Sequence, residues 1–123
     1  MAYDFGRYFT KNEFSCKCGC GGCDISQKLV EKLNTARELL KEPIVINSGY
    51  RCEEHNHNIG GSATSSHLRG LAVDIKAVDS AYRHKLLNIL YFVGFSRIGI
   101  DKDFIHIDID DDKPQKVTFL YSE

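Results

Sequence analysis

The segment Phe104-Ile-His-Ile-Asp-Ile109 alternates with period two, so Ile105, Ile107 and Ile109 share one face of an extended chain while His106 and Asp108 share the other. Leu71-Ala-Val-Asp-Ile75 repeats the pattern, with Leu71, Val73 and Ile75 on one face and Ala72 and Asp74 opposite. Two such strands constrain the fold strongly. Each has an apolar stripe that must be covered and an ionisable stripe that points away from that cover.

The rest of the chain supplies the cover. Ser26 to Lys41 carries Leu29, Val30, Leu33, Ala36 and Leu40 at helical spacing, with Asp24 and Gln27 placed like a capping box, and Glu42-Pro43 ends it. A second helix is predicted from about Ser80 to Val93, turning Leu86, Leu87, Leu90 and Val93 inward and stopping at Gly94. Ile44-Val-Ile46 reads as a short buried strand entering the turn Asn47–Arg51, and Asn58 to Gly70 reads as a Gly-rich polar loop. Further strands are expected over Arg97–Ile100 and Lys116–Tyr121. The sum is an α+β fold, one small domain over residues 1–123 with a mainly antiparallel sheet and flanking helices.

Composition narrows the function classes. With 42% hydrophobic and 27% charged residues, the chain is neither disordered, collagen-like nor coiled coil. Sixteen basic against seventeen acidic residues give a net charge of -1 without a basic block, so nucleic acid is not an expected partner. No apolar run approaches the roughly 18 residues of a membrane span, which argues against membrane insertion. The opening Met1-Ala-Tyr-Asp-Phe-Gly-Arg7 lacks a signal-peptide pattern, so synthesis as a cytoplasmic, monomeric protein is the expectation.

Chemistry concentrates around the two alternating strands. His67 in a loop, Asp74 seven positions later and His106 are the donor set of an open zinc site, because three protein ligands leave the fourth tetrahedral position for water, although from spacing alone a His or Asp in such strands is more often a satisfied structural group. Zinc lowers the pKa of that water towards about 7, and a nearby carboxylate can take its proton. Asp103, three residues before His106, would lie on the wrong face of a regular strand, but the turn-like run Gly99–Asp103 is expected to bring it round.

The joint pattern is Ser48-Gly-Tyr-Arg51, Asn56, Ser65-x-His67-x-x-Gly70-x-Ala72-x-Asp74 and Asp103-x-x-His106-x-Asp108, preceded by Phe9-Thr-x-x-Glu13-Phe14. It resembles the zinc D,D-peptidase family of D-alanyl-D-alanine carboxypeptidases and phage peptidoglycan endopeptidases, with the hedgehog signalling domain as a more distant likeness. The resemblance implies a hedgehog/D,D-peptidase-like fold and Zn2+ held by His67, Asp74 and His106. It implies Asp103 as general base and Arg51 as the residue that holds the scissile carbonyl. Ser65 and Asp108 would orient the ligands through hydrogen bonds. The implied substrates are peptidoglycan stem peptides, cut as a carboxypeptidase or an endopeptidase. A phage or prophage lytic enzyme released to the cell wall fits the small chain, with a non-catalytic zinc-containing binding module on the same fold as the alternative.

Other signals carry less. His55 and His57 are expected at the surface of a polar loop, and His84 is expected to be exposed on the second helix. Asp108-x-Asp110-x-Asp112 lacks the glycine and the final glutamate of a calcium loop and is expected to be a solvated acidic turn. Four cysteines crowd into Cys16-x-Cys18-x-Cys20-x-x-Cys23, with Cys52 far downstream. A second metal, a disulfide involving Cys52 and free thiols all remain open for them.

Overall fold

The computed structural model describes residues 4–121. Its elements in chain order are α1 (Lys11–Phe14), α2 (Gln27–Leu40), β1 (Ile46–Ser48), α3 (Glu53–Asn58), a 3₁₀ turn (Ser66–Arg69), β2 (Ala72–Lys76), α4 (Ser80–Val93), β3 (Arg97–Ile100), β4 (Phe104–Asp108) and β5 (Val117–Leu120). The strands form a single sheet in the order β1-β2-β4-β3-β5. Every pairing is antiparallel except β3 with β5, giving the mainly antiparallel α+β fold expected.

Val73, Ile75, Ile98, Ile105 and Ile107 form one continuous apolar layer, each fully buried. Leu29, Val30 and Leu33 of α2 join Leu86 and Leu90 of α4 in the same core cluster. The helical spacing of α2 accounts for this, since its five buried side chains are the five on its apolar stripe. The cap differs from the expected one. Ser26 is the N-cap and its side chain accepts from the Leu29 N–H, whereas Gln27 reaches back to the Asp4 backbone.

The opposite face of the sheet carries the ionisable side chains, and the register decides which of them meet. Asp74 pairs with His106, which pairs with Gly99, which pairs with Phe119. One row along, Ala72 pairs with Asp108, which pairs with Arg97. Gly99 is required in the first row, because a Cβ there would lie 2.5 Å from the Phe119 ring and 2.6 Å from that of Tyr121.

Three local expectations are corrected. The first strand begins at Ile46, not Ile44, because Ile46 is the first residue in register with β2, opposite Ile75, while Val45 contributes its carbonyl to the Lys76 N–H. His55 and His57 lie on the short helix α3, whose first turn is capped by the Cys52 sulfur. Asp110 is fully buried where a solvated turn was expected, since Ser66, Arg69 and Lys113 surround its carboxylate.

Gly70 closes the loop that leads into β2. It has φ +69°, and a Cβ there would overlap the Asp24 carbonyl oxygen. Gly70→Ala therefore combines a left-handed penalty of about 1–2 kcal/mol with crowding against rigid backbone, and should destabilise the fold by about 3 kcal/mol. Urea denaturation checks this, and an unchanged midpoint would mean that the loop moves away from Asp24 freely.

Candidate metal centre

Three elements deliver three donors to one point. His67 sits in the 3₁₀ turn, whose N-cap Ser65 accepts the His67 backbone N–H through its hydroxyl. Asp74 projects from the middle of β2, and His106 projects beside it from β4 because the two are register partners. His67 Nε2 lies 3.4 Å and His106 Nδ1 lies 2.9 Å from the same oxygen, Asp74 Oδ1. A tetrahedral zinc with bonds of about 2.0–2.1 Å spaces its ligand atoms by about 3.3 Å, so the donor set fits that ion in type and separation.

The far side of each imidazole is also occupied. His67 Nδ1 lies 2.8 Å from the Gly49 carbonyl and donates to it, leaving Nε2 for the common point. His106 Nε2 donates to Asp108 Oδ2 at 2.7 Å, leaving Nδ1. Asp108 is held in turn by Arg97 Nε at 2.7 Å and by the Asp110 backbone N–H at 3.1 Å. Ser65 and Asp108 are thus both placed to orient the histidines, Ser65 through the backbone and Asp108 through the ring.

The charges reinforce one another. Burial pushes the Asp74 carboxyl up, but hydrogen bonds and charge from His106 and His67 outweigh it and hold the group well below the usual carboxylate range. Burial lowers His106, yet the hydrogen bonds to Asp108 and Asp74 raise it on balance. Asp108 is lowered because His106 and Arg97 outweigh its burial.

A cleft of about 430 Å³ opens over these residues. Arg51 reaches it from the turn after β1, with Nε donating to Ser48 Oγ, Nη1 to Asn56 Oδ1, and Nη2 lying 3.6 Å from Asp74 Oδ2. Asn56 is itself buried and donates to the Ser62 carbonyl, so the guanidinium is fixed on two sides. Phe119 and Tyr121 form an aromatic wall, and Arg97 and Lys113 add positive charge to the lining.

Six of the seven sequence-predicted site residues, His67, Asp74, His106, Arg51, Ser65 and Asp108, line this cleft, whereas Asp103 does not. β3 runs through Ile100, so the turn is shorter than the expected Gly99–Asp103 and is closed by Asp101 N–H to the Phe104 carbonyl and Asp103 N–H to Asp101 Oδ2. That tight turn leaves Asp103 exposed, one residue before Phe104 at the cleft wall. Sequence reasoning missed Arg97, although its alternation with Ile98 and Ile100 puts it on the ionisable face. It also missed Ser48 as a support of Arg51, and the wall formed by β5.

Donors converging from separate elements beneath an open cleft, with a fixed cation alongside, form a candidate metal site of the open class rather than a closed structural one. Comparison with family models agrees with that class. The chain belongs to the peptidase M15 family, whose model matches residues 7–108. M15 peptidases are zinc-dependent, and the matched range contains every donor together with Arg51, Asp103 and Asp108. No curated protein matches the chain. No helix among the described residues is long and apolar enough to cross a membrane.

Proposed function

We propose that the protein is a zinc metallopeptidase that hydrolyses peptide bonds in peptidoglycan stem peptides. The observation that carries this reading is the presence of Arg51 in the same cleft as the His67, Asp74 and His106 donors, fixed by Ser48 and Asn56. A binding module has no use for a guanidinium held over a hydrolytic centre. Stem peptides are rich in carboxylates, and three cations line the cleft, Arg51 together with Arg97 and Lys113, which are paired with Asp108 and Asp110. A lytic role at the cell wall, as in phage or prophage enzymes, goes with that substrate.

Zinc bound by the three donors would supply an activated water at neutral pH and polarise the scissile carbonyl. The chain's own residues do the rest. Arg51 donates to the carbonyl oxygen as negative charge grows on it, an interaction that strengthens in the transition state because the guanidinium is already in place. Asp108 and the Gly49 carbonyl keep each imidazole in one tautomer. Phe119 and Tyr121 line one side of the cleft with aromatic surface.

Asp103 is proposed to accept the proton of the attacking water. From its exposed turn the carboxylate must reach the cleft past Phe104. Asp103→Asn keeps the size but cannot take the proton, so it should retain zinc and lose about 100-fold in turnover. Purified muropeptides incubated with the wild type and this variant, and read by mass spectrometry, test both levels and identify the bond cut. A wild type that cleaves no muropeptide with zinc bound would favour the binding-module alternative. A variant as active as the wild type would remove Asp103 from the mechanism.

A further inference from the structure

Outside the cleft, the sulfurs of Cys16, Cys18, Cys20 and Cys52 converge within 4.8 Å of one another. Cys16 Sγ lies 3.4 Å from Cys18 Sγ and 3.7 Å from Cys52 Sγ, and Cys18 and Cys52 are also 3.7 Å apart. Zinc–sulfur bonds of about 2.3 Å in a tetrahedron put neighbouring sulfurs about 3.8 Å apart. The spacing is therefore that of donors around a common centre. Cys23 stays apart, with its sulfur on the Lys11 carbonyl at 3.7 Å, so the odd cysteine count divides into four and one.

The backbone is arranged for the same purpose. Gly19 and Gly21, at φ +87° and +81°, bend the loop so that three cysteines from one short segment face one point. Cys52 arrives from the opposite side as the N-cap of α3. Three sulfurs receive backbone N–H groups at 3.4 Å: Cys16 from Cys52, Cys52 from His55, and Cys20 from Gly22. A thiol is a weak acceptor, whereas a metal-bound thiolate keeps the negative charge that such donors stabilise. Burial does not explain the convergence either, because Cys18 and Cys20 are both exposed.

We propose that Cys16, Cys18, Cys20 and Cys52 hold a second, structural zinc ion as a tetrathiolate. Four thiols bind one Zn2+ and release four protons, with no change of oxidation state. The ion would staple the N-terminal loop to the turn that serves the cleft. Cys52 directly follows Arg51, and the Phe14 carbonyl, close before Cys16, accepts the Tyr50 N–H at 2.9 Å. Gly49 packs so tightly on Phe14 that a Cβ would lie 2.7 Å from its carbonyl oxygen, and it is the Gly49 carbonyl that orients His67. The staple thus fixes the turn that presents both Arg51 and this carbonyl.

The test is metal stoichiometry on the full chain purified without chelator or added reductant, by elemental analysis and native mass spectrometry. The wild type should hold two zinc ions, His67→Ala one, and the double variant Cys18→Ser/Cys20→Ser one. That double variant removes two exposed side chains and leaves the core intact, and circular dichroism verifies its fold. Cobalt substitution of His67→Ala gives a second readout independent of any serine variant, since a tetrathiolate site shows intense sulfur-to-cobalt charge transfer. One ion in the wild type that vanishes in His67→Ala would overturn the proposal. So would a cobalt-loaded His67→Ala protein without sulfur charge transfer, or a wild-type mass lower by two hydrogens, which reports a disulfide. One ion that survives His67→Ala but not the cysteine variant would support the thiolate site while sinking the His67 ligand assignment.

Discussion

His67→Ala should remove zinc from the cleft and lower turnover by about 1000-fold or more, the largest effect expected of any single substitution. Among the described residues three protein donors meet at the site, and losing one leaves two, too few for a tightly held ion in an open centre. The substitution also removes the imidazole N–H from the buried Gly49 carbonyl, so circular dichroism has to show that the fold is kept before the loss is assigned to zinc. Asp108→Asn makes the graded comparison. It keeps all three donors while weakening the hydrogen bond that orients His106 and the ion pair with Arg97 behind it, so the cost should be about 10- to 100-fold in zinc affinity. Competition of each variant with a chromogenic chelator measures both. Equal affinity of His67→Ala and the wild type would show that the ion, wherever it sits, is not held by these residues.

What the sequence revealed of this site follows from how local each determinant is. The apolar stripe of α2 and the alternation of β2 and β4 are set by residues a few positions apart, so the side chains facing the core could be read directly. The same alternation put Asp74, His106 and Asp108 on the face away from the core. Register is different, because only cross-strand pairing places Arg97 beside Asp108 and Phe119 beside Gly99. Asn56 is more remote still. It lies in the polar run Glu53–Asn58, and its burial depends on Gly61, where a Cβ would collide with its carbonyl oxygen. Asp110 looked solvated because its partners Ser66 and Arg69 are more than forty positions away. The position of Asp103 turned on the path of the chain between Ile100 and Phe104, which the bonds from the Asp101 and Asp103 N–H groups set and no alternation pattern encodes.

Replacing Arg51 should separate binding of the metal from use of it. The guanidinium touches Asp74 only at 3.6 Å and through the oxygen that the histidines do not share, so zinc affinity should hardly change. Turnover is another matter. If Arg51 donates to the carbonyl oxygen in the transition state, Arg51→Ala loses one preorganised donor, worth about 100- to 1000-fold in kcat. Arg51→Lys restores the charge but not the planar fork that Ser48 and Asn56 hold from two sides, so its recovery should be partial, leaving a deficit of at least about 10-fold. The size of the deficit matters less than where it falls. A donor used mainly in the transition state lowers kcat and kcat/KM together, whereas a residue that only anchors a substrate carboxylate raises KM and leaves kcat alone. Steady-state muropeptide hydrolysis by the three proteins at matched zinc loading distinguishes these outcomes. Loss confined to KM would move Arg51 from the scissile carbonyl to the substrate's carboxylates, and full activity of Arg51→Ala would remove it from the reaction.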